Sequence, residues 1–127
     1  MKKTCKLTNP ITINGKEVSE VSYDADKINC LLFAEADARR RMAAGLKNMA
    51  SSLTAEFDTA FHLYLGLAAI VAVNPTYDFS DVERISGPAD TVRFMKVGRN
   101  FILKSENSPQ SSSDEQSETT ANISTQA

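Results

Sequence analysis

The stretch AFHLYLGLAAIVAV, Ala60–Val73, constrains this chain more than any other. It carries no charged residue, and no continuous polar face interrupts it. A helix that is apolar on every side must bury every side. At fourteen residues the run falls well short of the ~20 needed to cross a bilayer. It therefore predicts a central core helix over about 54–73, with Thr54 as its cap and Glu56 in its first turn. A chain of 127 residues has few elements with which to cover such a helix. That shortage predicts a side left over for a partner. Phe61, Leu63, Leu67 and Ile70 on this helix, with Phe94 and Phe101 further along, are the candidate partner-binding residues.

What precedes the core helix has two parts. Asn14-Gly15 separates two short apolar-alternating runs, and both residues tolerate the positive φ of a type I′ turn. A β-hairpin over 7–23 follows. Ile11, Ile13 and Val18 fall on one face of a regular two-residue hairpin, and Val21 and Tyr23 on the other. An extra residue near Ser19-Glu20, forming a bulge, would gather all five on one side. A lone hairpin is barely stable in water, so this one must lie on the helices. A helix over about 24–48 comes next, with Asp24 as its cap and Asp26 in its first turn. Leu31, Ala38, Met42, Met49 and Leu53 recur at helical spacing, and Ala34 and Leu46 fill the stripe. Glu35 to Arg39 and Asp37 to Arg41 are i,i+4 pairs of opposite charge, which mark a wet face. Ser51-Ser52 reads as a break.

Asn74-Pro75 ends the core helix. Ser80-x-x-Glu83 reads as a capping box for a short helix over about 80–86 carrying Val82 and Ile85. Gly87-Pro88 stops that helix and starts the last one, about 88–104. Here Val92, Met95 and Ile102 form one stripe and Phe94, Val97 and Phe101 another, and Gly98 between them allows a close helix contact. The expected fold is α+β and mostly helical: an N-terminal β-hairpin packed on three to four helices, one domain spanning 1–104.

After Lys104 the apolar residues run out. Residues 105–127 are mostly Ser, Thr, Gln and Asn, with four acidic residues and no Lys or Arg. Such a segment cannot bury enough surface to offset its chain entropy and is predicted to be disordered. Without the tail's four acids the body holds 12 acidic and 14 basic residues, a mild net of +2. That is too weak a field to imply nucleic acid. The Lys-rich start is followed by Asn9, Pro10, Thr12 and Asn14, not by the apolar stretch of a secretory signal. Cys5 and Cys30 stand apart from any other ligand type and read as free thiols.

Nothing in the chain spells a chemistry. His62 is the one histidine, with Asp58 a turn earlier, and neither a nucleophile nor a second ligand stands near it in sequence. It reads as a packed or capped helix histidine. Arg39-Arg40-Arg41 fan around a helix that already holds acids a turn away, so they read as an ion-paired face. Arg93, Lys96 and Lys104 share one side of the last helix. There is no phosphate loop, no metal-ligand spacing and no acid–base pair in a recognisable arrangement. An enzyme is not expected, nor a cofactor or a metal.

Two segments together resemble one family. LTNPITINGKEVSEVSY, Leu7–Tyr23, is similar to the opening of the small tail assembly chaperones of tailed bacteriophages, with a Pro-Ile strand, a Gly-Lys-Glu-Val turn and a second apolar strand. FSDVERISGPADTVRFMKVGRNFIL, Phe79–Leu103, resembles the end of those proteins, with an acidic-capped short helix, an Asp and a closing Val-x-x-Phe-like helix. The middle helix, rich in Arg, Ala and Met, matches no family motif. The resemblance implies a non-enzymatic protein of the bacterial host cytoplasm that binds the tape measure protein while the tail tube polymerises, and is absent from the mature virion. It also implies the major tail tube protein as a further candidate partner, and in some members a longer frameshifted form. Self-association would hide the same apolar surface equally well, so a second copy of the chain is a candidate partner too. A small DNA-binding regulator reading through helix 88–104, with Arg93 and Lys96, is the first rival. A structural tail or head-completion protein is the second.

Overall fold

The structure, a computed structural model, describes residues 1–46 and 58–106. Two antiparallel strands, β1 (Lys3–Ile13) and β2 (Lys16–Tyr23), lead through a 3-10 turn at Ala25–Lys27 into four helices among the described residues. These are α1 (Cys30–Leu46), α2 (Thr59–Val73), α3 (Phe79–Val82) and α4 (Pro88–Glu106). The architecture is α+β and mostly helical. Ser51, Ser52, Thr54, Glu56, Met49 and Leu53, and the tail beyond Glu106, lie outside the described residues.

The hairpin turns where Asn14-Gly15 predicts. Ile13 pairs with Lys16, and both turn residues have positive φ, 54° and 79°. The strand begins earlier than residue 7, because Cys5 and Leu7 are buried and extend the apolar face. Ile11, Ile13 and Val21 are buried, with Val18 and Tyr23 packed beside them, so all five apolar groups do share the core. The irregularity that achieves this is on the other strand. Lys6 pairs with Glu20 and Ile11 with Val18, so Leu7–Pro10 of β1 stand opposite Ser19 alone. The extra residues sit in β1 because that stretch is tied elsewhere. The Thr8 N–H donates to the buried Asp90 carboxylate at 2.7 Å, and Asn9 Nδ2 reaches the Ser86 carbonyl at 3.4 Å. Pro10, which has no N–H to give a ladder, fits the interruption.

The expected helix over 24–48 is divided. Asp24 does cap, but it caps the 3-10 turn, accepting from the Asp26 N–H at 3.0 Å. Asn29 then opens α1 by accepting from the Leu32 N–H at 2.8 Å. Asp58 caps α2 and accepts from the Phe61 N–H at 2.9 Å. The capping box of α3 lies two residues before the expected one, between Asp78 and Asp81. The shift has a packing reason: Phe79 and Val82 are both buried, and a helix that starts at Phe79 puts them three apart on one face. α4 runs two residues past the expected end.

α2 is the hub. The hairpin, the 3-10 turn, α1, α3 and α4 all pack against it. Every residue from Leu65 to Ile70 is buried. The expectation that a side of this helix would remain uncovered is therefore corrected. Gly66, Ala68 and Ala69 make a narrow helix, so the surrounding elements reach round it. The closest approach is with α4. A Cβ on Gly66 would lie 2.6 Å from the Phe94 carbonyl carbon, and one on Gly98 would lie 2.7 Å from that of His62. The close contact expected at Gly98 is present, with Gly66 as its counterpart. Hydrogen bonds hold the strand end to the same helix: the Asp24 N–H donates to the Ala69 carbonyl at 3.0 Å, and the Asn74 side-chain Nδ2 donates to the carbonyl of Ser22 at 2.9 Å.

Candidate partner-binding surface

The six residues singled out as a partner surface do not form one. Phe61, Leu67, Ile70 and Phe94 are buried. Leu63 and Phe101 are half-buried against the same core. Phe94 meets Tyr23 edge-on, with ring centroids 5.4 Å apart. These side chains hold the domain together.

Met1 at the N-terminus and Val92 on α4 are exposed singly, whereas exposed apolar groups gather on α1. Leu31 is 74% exposed and Met42 61%. Ala34 and Ala38 between them are exposed as well. Spacings of three, four and four put the four residues on one face. This is the stripe that periodicity assigns to the core, and that assignment is corrected. The face that packs is one residue over. Ala36 is fully buried, Leu32 and Ala43 are half-buried, and Phe33 packs edge-on against Phe61 with centroids 5.3 Å apart.

Charge decides between the two faces. Arg40 points inward, and its Nε lies 3.3 Å from the buried carboxylate of Asp58, the cap of α2. Arg39 lies over the Phe79 ring and 3.7 Å from Glu83, not beside Glu35 as i,i+4 spacing predicts. Arg41 hydrogen-bonds Asp37, as that spacing does predict, and Arg40 reaches Asp37 at 3.3 Å. All three arginines are thus ion-paired within the chain. Turning α1 to bury Leu31 and Met42 would pull Arg40 from Asp58 and strand a buried carboxylate, which costs several kcal/mol. The signal was present in the sequence as a second apolar row, Leu32–Ala36–Ala43, but nothing local announces that Asp58 needs a counter-charge.

The Arg41 hydrogen bond, aided by the nearby Arg40, holds the Asp37 carboxyl below the usual carboxylate range against its partial burial. A lowered carboxyl stabilises the fold above its ordinary pKa, and that contribution disappears as the pH falls through the lowered value. Asp37→Asn will therefore melt below the parent protein at neutral pH. The two melting curves will converge in acid, as a thermal pH series will show.

His62 is buried in the core, on the α2 face that meets Gly98. Cys5 is buried and Cys30 exposed, both as free thiols. Arg93 and Lys96 are exposed on α4, and Lys104 lies 3.4 Å from Asp26. A groove of about 300 Å³ lies between the 3-10 turn and α4, but its charges serve one another: the Met1 ammonium and Lys104 both bond Asp26. Among the described residues, no group of three or more His, Cys, Asp or Glu could hold a metal, and no helix is long and apolar enough to cross a membrane.

The two segments that carry the family resemblance meet here. Thr8 and Asn9, from the opening segment, bond Asp90 and Ser86, from the closing one. Asp90, in the first turn of α4, is fully enclosed by this joint. Comparison with protein-family models, with curated proteins and with solved structures finds no match.

Proposed function

We propose that this chain is a non-enzymatic tail assembly chaperone of a tailed bacteriophage, which binds the tape measure protein and keeps it soluble in the host cytoplasm until the tube encloses it. The observation that carries the reading is the exposed Leu31–Ala34–Ala38–Met42 row on α1. A helix laid in an apolar groove or along an apolar row is a common mode of peptide recognition, read through anchors spaced three and four residues apart. A tape measure protein is long, helical and prone to aggregate, so it offers many such anchors. The resemblance of Leu7–Tyr23 and Phe79–Leu103 to this family supplies the client's identity, and their mutual docking gives both segments a shared structural reason. Absence from the finished particle belongs to the same proposal.

Co-expression tests it. The parent chain will hold a tape measure protein in the supernatant. Leu31→Lys with Met42→Lys will return it to the pellet, because a charge on each anchor must be desolvated on binding. Circular dichroism will show the variant folded, since both positions are exposed. A client whose solubility ignores the chain, or a double variant that works as well as the parent, would remove the reading. Finding the chain in purified virions would favour the structural rival instead.

A further inference from the structure

We infer that the exposed row of α1 pairs with the same row of a second copy, antiparallel and about a two-fold axis. The row is a palindrome in size: Leu31, Ala34, Ala38, Met42, or bulky, small, small, bulky. Turned end for end about the midpoint between Ala36 and Asp37, Leu31 exchanges with Met42, and Ala34 and Ala38 exchange to within one residue. Leu31 then lies against Met42 of the second copy, and Ala34 against its Ala38. The small pair in the middle lets two helix axes approach at the near end of the usual 8–10 Å. The bulky ends each fill the space beside the other. A two-fold interface requires this kind of self-complementarity.

The charges at the edge follow the same symmetry. Among the described residues Glu35 is exposed and has no ion-pair partner. Arg39, one turn on, holds Glu83 only at 3.7 Å and has donors to spare. In the antiparallel register each Glu35 comes within one residue of the level of Arg39 of the other copy, a rise of about 1.5 Å that the long side chains span, so two ion pairs form at once along one edge. On the opposite edge Asp37 is already neutralised by Arg40 and Arg41. A parallel pair would set Leu31 against Leu31 and bring no cation level with Glu35. Four side chains and two edge pairs bury much less than the about 1,600 Å² of a standard interface. The dimer is therefore weak and concentration-dependent. It shares its face with the proposed client, so the two occupants exclude each other.

The full-length chain can be tested in a Cys30→Ser background, so that the introduced thiols are the accessible ones. Ala34→Cys and Ala38→Cys chains are prepared separately, then mixed at about 100 µM, where a weak dimer is populated, and oxidised gently. The register predicts that the mixed 34–38 disulfide outpaces both the 34–34 and the 38–38 disulfide. Sedimentation of the parent chain will show a monomer–dimer equilibrium, and Met42→Lys will weaken it at least about tenfold. Like-with-like disulfides forming faster, or a chain that stays monomeric whatever it does with a client, overturns the pairing. A chain that pairs in this register yet leaves the tape measure protein insoluble upholds the pairing and removes the client reading.

Discussion

Gly66→Ala will lower the stability of the domain by about 2–3 kcal/mol, although alanine is the better helix former. In an exposed helix interior the exchange would gain about 1 kcal/mol. Here the new Cβ would fall on the Phe94 carbonyl, which is backbone and cannot swing aside. α2 and α4 must separate, and overpacking a tight core typically costs 1–3 kcal/mol, more where backbone meets backbone. Against a total of about 5–15 kcal/mol, that is a large fraction. Gly98→Ala strikes the same crossing from the other helix, through the His62 carbonyl. Once one Cβ has pushed the helices apart, the second finds room. The double variant will therefore lose less than the sum of the singles, as contacting sites do. Urea melts of the three variants measure this. A Gly66→Ala protein as stable as the parent would show that the crossing is looser than the structure has it.

Local chemistry made the turn and the crossing legible. Asn14-Gly15 reads as a I′ turn because few residue pairs accept positive φ twice, and Gly98 reads as a contact because a helix interior otherwise disfavours glycine. What stayed hidden was set by partners distant in sequence. The strand that carries the extra residues depends on Thr8 reaching Asp90, eighty-two residues away. The start of α3 depends on where Phe79 must point. The rotation of α1 is the costliest error for function. Two apolar rows, one through Leu31 and Met42 and one through Leu32 and Ala36, lie about 100° apart on the helix. Periodicity alone ranks the longer row as core. The pairing of Arg40 with Asp58 reverses that ranking, and it moves the candidate surface from α2 and α4 to α1. The girth of α2 misled in the same way: counting Gly66, Ala68 and Ala69 as apolar overstates how much cover they need.

Phe94→Ala separates the two placements of the functional surface. If Phe94 served a partner, its truncation would weaken binding and leave the fold alone, since surface changes usually stay within about 0.5 kcal/mol. The structure buries it completely, edge-on to Tyr23 and beneath the hairpin. Removing a buried phenyl ring costs about 3–5 kcal/mol, through lost transfer energy and the cavity left behind. The loss will also loosen the hairpin, because Tyr23 ends β2 and loses its ring partner. Phe94→Ala will thus melt far below the parent, and amide exchange in β2 will accelerate with it. Met42→Ala is the matched control. Its side chain is mostly exposed, so stability will hold while the proposed client binding and self-pairing fall. The opposite pattern, a stable Phe94→Ala and an unstable Met42→Ala, would require α1 to be rotated by a residue. It would put Leu31 and Met42 inside and leave Arg40 without Asp58, and every surface assigned to α1 would have to be withdrawn.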